Sequence, residues 1–379
     1  MEPTQRVLEL AREAGFDLAG IAPLGPPRDA ERFRTWLAQG RHGGMDWMER
    51  GAACTTDPRR LLEGGRSILV VGLAHSRPAF ALGDGARVAR YAAGRDYHNV
   101  VGKRLRSLAR RLRAEGLAGE WRKAVDATPL LERSHAAEAG LGFLSKAANL
   151  LHPAFGPWFF LGELLLDAEL EPTADAPAGS CGTCTACIDV CPTGAIHAPG
   201  AVDARDCLSY LTIEHSGPIP AERRGDLGPW AFGCDLCSEV CPFGRDAPDL
   251  GERFGVHRAL AEDAESAGAG GGGLVSWIEI GEEELDARFG GSALRRPGRE
   301  GLARNAAIVL GNRPTDGGRR TLLRALSFDP SAVVRGAAAW ALGRGHGADA
   351  GVHAALDRAA RGDSESAVQR EARAALDGA

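Results

Sequence analysis

The chain has 379 residues and a formal charge of −5, with 44% hydrophobic and 25% charged residues. That is two or three domains of ordinary globular composition, which excludes a staple-dependent miniprotein, a fibrous chain and a wholly disordered one. No apolar stretch approaches the ~18 residues of a membrane span and the start lacks the basic and apolar regions of a signal peptide, so no membrane association and a cytoplasmic location are expected.

In chain order, residues 4–14 set Val7, Leu8, Leu10, Ala11 and Ala14 at helical spacing and end at Gly15, the pattern and stop signal of an amphipathic helix. A short strand follows at 16–23. Residues 67–73 are β-branched and apolar on both faces, which predicts a strand central in a sheet. A strongly basic helix is expected over 98–115, a helix start over 134–140 and another core strand over 158–165. The first ~170 residues therefore read as α/β. Residues 172–180, rich in Pro, Ala, Thr and Gly, predict a linker, and 261–273, AEDAESAGAGGGG, a flexible connector. Beyond 274 the chain turns helical and repetitive: 302–311 echoes 334–343, and 368–376 echoes both, at periods of 32 and 34 residues. Helical units of this size bury their apolar faces by stacking into a short solenoid.

Nine cysteines are present, and eight fall between 181 and 241; Cys54 stands apart and reads as incidental. The run Cys181-x2-Cys184-x2-Cys187-x3-Cys191-Pro192 has iron–sulfur spacing, in which the fourth cysteine turns away toward a second cluster. A second run, Cys234-x2-Cys237-x3-Cys241-Pro242, lacks one upstream cysteine, and Cys207 is the available substitute. The expected exchange gives Cys181, Cys184, Cys187 and Cys241 to one 4Fe-4S cluster, and Cys191, Cys207, Cys234 and Cys237 to the other. Paired zinc knuckles are the competing reading, but zinc has no need of the Cys-Pro endings.

The order of features resembles the epoxyqueuosine reductases over nearly the whole chain. The resemblance rests on Gly94-Arg95-Asp96-Tyr97-His98, on VDATPLLER at 125–133, AGLGFLSK at 139–146, GPWFFLGE at 156–163 and SYLTIE at 209–214, and on Arg304-Asn305 ahead of the repeats. Members of that family are cobalamin-dependent iron–sulfur enzymes that remove the epoxide oxygen of epoxyqueuosine in a tRNA anticodon. The resemblance implies an α/β cobalamin and substrate domain, reductive-dehalogenase-like, over 1–171, and a ferredoxin-like module with two 4Fe-4S clusters over 172–250. A flexible linker over 251–273 and a HEAT-like, tRNA-binding helical domain over 274–379 complete it. This chain departs from the family pattern at Thr55, at Ala147 and at Phe243-Gly244.

By the same resemblance Asp126 is the proton donor, which requires burial to raise its carboxyl if it is to hold a proton at neutral pH. Tyr97, with His98 beside it, Asp126, the turn around Leu150, the segment at Leu161, and Thr212 and His215 near the second cluster are the implied cofactor contacts. For tRNA, residues 103–123 and 295–324 each carry eight basic against two acidic residues in a chain that is negative overall. Arg295, Arg296, Arg299 and Arg304 are the expected phosphate contacts in the second window. The expected partners are a tRNA anticodon stem-loop carrying epoxyqueuosine and an unidentified electron donor, and the expected state is a monomer. Two rival readings are a dehalogenase-like cobalamin enzyme for a small molecule, which needs no basic tail, and a ferredoxin-type electron carrier, which has no use for Asp126.

Overall fold

Ser67–Ala74 (β2) is buried along all eight residues because sheet neighbours flank it and apolar layers cover both its faces. The computed structural model describes residues 2–75, 77–173, 179–250, 253–266 and 273–378. They form two compact units, Met1–Pro78 with Arg95–Arg205 and Asp235–Phe254, and Ala79–Gly94 with Asp206–Cys234 and Gly255–Ala379. This division differs from the sequence boundaries at 171, 250 and 273: the segments 79–94 and 206–234 pack with the helical C-terminal part.

In the first unit, helix α1 (Pro3–Glu13) precedes β1 (Leu18–Pro23), so the two opening expectations hold to within two residues. Helix α2 (Tyr97–Ala114), β3 (Trp121–Ala124), α3 (Glu132–Glu138) and β4 (Phe159–Leu166) follow. The strands are ordered β1-β2-β4-β3 and every pairing is antiparallel, with Val71 opposite Gly162 and Val70 opposite Glu163. Ile68, Val70 and Ala74 point to a layer that includes Leu130, Ala136, Leu141 and Leu150. On the other face α2 lies close to β4, since a Cβ at Gly162 would stand 2.6 Å from Val101 and 3.0 Å from Leu105. The helix expected to begin near 134 instead starts at Glu132 and stops at Glu138, with Gly140 turning the chain at φ 83°. Of the linker expected at 172–180, residues 174–178 lie outside the described residues.

In the second unit, a three-stranded sheet joins Trp230–Phe232, Arg87–Val88 and Phe80–Ala81. Part of the expected flexible connector is helix: Arg258–Glu265 buries Asp263, which accepts from Trp277 Nε1 at 2.9 Å and pairs with Arg288. A buried carboxylate with two donors fixes that segment, against what its small polar composition suggests; residues 267–272 lie outside the described residues.

The C-terminal helices are α4 (Gly298–Asn312), α5 (Asp316–Phe328), α6 (Ala332–His346), α7 (Ala350–Gly362) and α8 (Ser366–Asp377). The sequence echo has a packing cause. A Cβ at Gly311 would stand 2.7 Å from Ala341, and one at Gly343 2.7 Å from Ala375, so the same repeat position lets α4 meet α6 and α6 meet α8. Rungs of charge repeat with it, Arg299 to Asp329 and Arg335 to Asp363, each from one helix to the residue that ends the next. Among the described residues no helix is long and apolar enough to cross a membrane.

Candidate functional site

Asp96 caps α2, accepting from the His98 amide at 2.9 Å, which makes Tyr97 and His98 the first-turn side chains of that helix. Facing them, two residues beyond β3, is Asp126 with φ 55°. The Tyr97 hydroxyl donates to Asp126 Oδ2 at 2.7 Å, and His98 Nε2 lies 3.3 Å from the same oxygen. His98 Nδ1 is 2.8 Å from Asp96 Oδ1, so the imidazole bridges two carboxylates. Asp126 first, and Asp96 with it, push the His98 imidazole up to about 9, and it is an imidazolium at neutral pH. The Asp126 side chain is 50% exposed. The burial that the sequence reading asks of it is therefore not supplied by these neighbours; a charged donor stands beside it instead.

The floor of this site is aromatic. Tyr97 stacks on Phe160 at 4.3 Å with rings 2° from parallel, and His98 and His75 extend the stack at 4.2 Å on either side. Leu161, the next residue of β4, is partly exposed, whereas Leu150 is 4% exposed and belongs to the core. Tyr97 and Asp126 are thus brought together. Leu150 offers no side-chain surface of consequence.

Behind Asp126 are two acids, Glu132 of the 125–133 motif and Glu163 of the 156–163 motif. Glu132 Oε1 accepts from the Asp126 amide at 2.5 Å, and burial, then the Asp126 charge, push the Glu132 carboxyl up to about 7. Glu163 is fully buried on β4 opposite Ala124, and burial, then Glu132, hold its carboxyl well above the usual range. One signal could have found it: Glu163 is the only acid in the otherwise apolar strand FFLGELLL.

Cys181, Cys184, Cys187 and Cys241 line one cavity, with Ser145, Asn149, Cys237 and Ser238 around them. Burial pushes the Cys187 thiol up, and Cys181, Cys241 and Cys184 act on it in the same direction, so four sulfurs converge. Lys146 builds the rim, its Nζ donating to the carbonyls of Gly182 at 2.8 Å and Cys184 at 2.9 Å. Cys191 sits 3.5 Å from the Thr193 hydroxyl; Cys207 precedes the helix Leu208–Ile213, and Cys234 follows the strand Trp230–Phe232. The departures are accommodated locally. Gly244 has no room for a Cβ against the Ser238 carbonyl, its own carbonyl accepts from Trp158 Nε1 at 2.7 Å, and buried Thr55 bonds back to Gly51.

The second-unit candidates have a different setting. Thr212 is fully buried, with its hydroxyl donating to the Leu208 carbonyl and accepting from the Gly233 amide. His215 Nε2 is 3.0 Å from the Pro218 carbonyl, and burial pulls its pKa down, which keeps the ring neutral. Arg304 is 1% exposed and donates to the carbonyls of Leu211, His215 and Gly217, while Asn305 donates to those of Thr212 and Ala231. These four residues form one internal polar junction. Arg304 has no surface for a phosphate, a correction whose cause is that its donors are consumed by buried carbonyls. Arg299 pairs with Asp329 out of solvent, whereas Arg295 with Asp286 and Arg296 with Glu214 form pairs whose cations stay exposed, so Arg299 and Arg304 are the members of that window spent inside the protein. Exposed cations recur at four-residue steps on α5, where Arg320 and Arg324, the latter 3.5 Å from Glu279 in an exposed pair, lead to Phe328, which is 80% exposed. On α2, Lys103, Arg106 and Arg110 are exposed, while Arg104 and Arg111 are tied to Gly15 and Glu13.

Residues 56–127 match the family described as Epoxyqueuosine reductase QueG, DUF1730, and residues 180–244 match a 4Fe-4S double cluster binding domain. An epoxyqueuosine reductase of Xanthomonas campestris is 41% identical over 355 residues, covering 90% of this chain and 96% of the relative. One from Escherichia coli is 37% identical over 331 residues, covering 85% and 83%. Among solved structures, an epoxyqueuosine reductase crystallised with an epoxyqueuosine-modified tRNA stem loop is similar with a TM-score of 0.86 and 27% identity, covering 98% of this chain and 97% of that one. A Bacillus subtilis epoxyqueuosine reductase whose aspartate-bearing catalytic loop is swung out of the active site matches at 0.84 and 26%, covering 98% of both chains.

Proposed function

The chain belongs to the epoxyqueuosine reductase family, and from that premise we propose that it reduces epoxyqueuosine to queuosine in the anticodon of a tRNA. The observation that carries the residue-level reading is the Asp126 carboxyl set between the Tyr97 hydroxyl and the His98 imidazolium. Opening the epoxide to an alkene consumes two electrons and two protons and releases one water. His98, charged at neutral pH and 3.3 Å from Asp126, holds the proton, and Asp126 passes it to the leaving oxygen. Tyr97 fixes the carboxyl direction through its 2.7 Å bond.

The donor set suits the amide side chains of a corrin: the polar atoms of Tyr97, His98 and Asp126 form one edge, stiffened from behind by the ring stack of Tyr97 on Phe160. Cobalamin bound there would supply the reducing centre at carbon, the hard chemistry that no side chain offers. Cys181, Cys184, Cys187 and Cys241 would hold one 4Fe-4S cluster; the spacing of Cys191, Cys207, Cys234 and Cys237 supports a second. Thr212 and His215 are taken up by their own packing and are not assigned to the corrin.

The helical C-terminal part, HEAT-like in its repeat, would carry tRNA through Arg320, Arg324 and Phe328, two phosphate-seeking cations and a stacking face on one side of α5. A cytoplasmic monomer fed by a separate electron donor accords with this reading.

Asp126→Asn tests the proton donor. In anaerobically loaded enzyme, iron content and tRNA affinity should persist while single-turnover reduction of epoxyqueuosine tRNA falls about 10²–10⁴-fold, the usual worth of a general acid. Near-normal turnover would return Asp126 to a turn residue.

A further inference from the structure

Asp126 occupies the left-handed region at φ 55°, which a residue with a side chain keeps only when its surroundings hold it there. The Ala127 amide bonds back to the Val125 carbonyl at 2.6 Å and closes a three-residue turn centred on Asp126, one local hold on that conformation. The Asp126 amide donates out of the turn, to Glu132 Oε1 at 2.5 Å. Glu132 opens α3, and Glu163 is interior on β4, the strand whose pairing partner β3 leads into the turn. An acid in the middle of a buried apolar strand is costly, and apolar residues would serve the core better. Burial holds the Glu163 carboxyl well above the usual range and no donor group among the described residues reaches either of its oxygens, whereas half-buried Glu132 keeps an oxygen on the Asp126 amide. The other charges acting on the pair are Asp126 itself and Arg133, with His98 reaching it through Asp126.

We propose that Glu132 is a positioning residue that latches the Asp126 turn in its reacting geometry by gripping the Asp126 amide. The latch presupposes that Asp126 is the proton donor, so the two ideas need separable tests.

The experiment measures hydrogen–deuterium exchange of the peptide containing 125–131, and single-turnover reduction of epoxyqueuosine tRNA, on the full chain loaded with clusters and cobalamin. In Glu132→Ala, exchange at the Asp126 amide should rise about tenfold or more and turnover should fall by a similar factor, with iron content and tRNA affinity unchanged. Glu132→Gln keeps the oxygen acceptor and should restore both within about threefold. Should Glu132→Ala fail to fold, Glu132→Thr, too short to reach the Asp126 amide, should show the same rise in exchange. Unchanged exchange in the Ala or Thr variant overturns the latch, as does a Gln variant that is protected yet inactive, since Glu132 would then move protons. Asp126→Asn run alongside separates the two ideas: if it turns over normally the proton-donor reading fails, while exchange in Glu132→Ala still reports on the latch.

Discussion

Replacing Arg304 with Leu separates a buried organiser from a phosphate contact. The guanidinium donates to the carbonyls of Leu211 at 2.8 Å, His215 at 2.8 Å and Gly217 at 2.6 Å from a side chain that is 1% exposed. A hydrogen bond to a charged group is worth about 1.5–3 kcal/mol, and the variant leaves three acceptors behind. Against that, removing a buried charge recovers desolvation, the same burial that pulls the Arg304 pKa down to about 10. Breaking such an arrangement from one side typically nets about 3–5 kcal/mol. For a unit of this size that lowers the melting temperature by about 10 °C. The assay pairs thermal unfolding with tRNA affinity measured against salt, below the transition. Arg304→Leu should lower the melting temperature and leave the slope of log affinity against log salt unchanged. In Arg320→Ala/Arg324→Ala the pattern reverses, with little change in melting and a slope shallower by about 1.4–1.8 if both meet phosphates. A stable Arg304→Leu variant whose slope falls by about 0.7–0.9 would refute the reasoning.

Other consequences are as direct. His98 has a folded-state pKa of about 9 against an ordinary 6.5, so the native state binds the extra proton; its contribution is whole below about 6.5 and lost as pH rises through about 9. Denaturant unfolding between pH 6 and 10 should show that loss in the parent and not in His98→Gln, and coincident curves would deny the imidazolium. Cys241→Ala should take iron from about eight to about four per chain, because Cys241 joins the cavity of Cys181, Cys184 and Cys187; retention of eight by iron analysis would break that ligand set. Gly343→Val should destabilise by about 1–3 kcal/mol in denaturant melts, since its Cβ stands 2.7 Å from Ala375 on α8; an unchanged midpoint would mean the helices part freely.

What was legible in the sequence was local. Cluster spacing repeats within a few residues, so two Cys-Pro runs declare themselves, and β2 shows in its unbroken apolar run. The antiparallel sheet did not show, because a strand buried on both faces has the same composition in either sense. Charge counting misled for a related reason: Arg299 meets Asp329 and Arg335 meets Asp363 about 30 residues on, and a window tallies charges without pairing them. Asp126 emerged through its motif, but its surroundings come from three separate segments, so the His98 bridge and the Glu132 grip needed the fold. The flexible composition of 261–273 hid Asp263, whose partners Trp277 and Arg288 lie beyond the segment.

The order in which the chain crosses between its two units bears on how it is made. The first unit is finished only by Asp235–Phe254, after the intervening 206–234 has gone to the second. On the ribosome, Cys181, Cys184 and Cys187 emerge about 50 residues ahead of Cys241, which at about 5–20 residues per second leaves three thiols waiting for several seconds. During that interval they can be oxidised or take up the wrong metal. On the proposed ligand set, the cluster of Cys181, Cys184, Cys187 and Cys241 can be completed only after Cys241 has emerged, and a nascent chain stalled before it would leave three thiols exposed to oxygen.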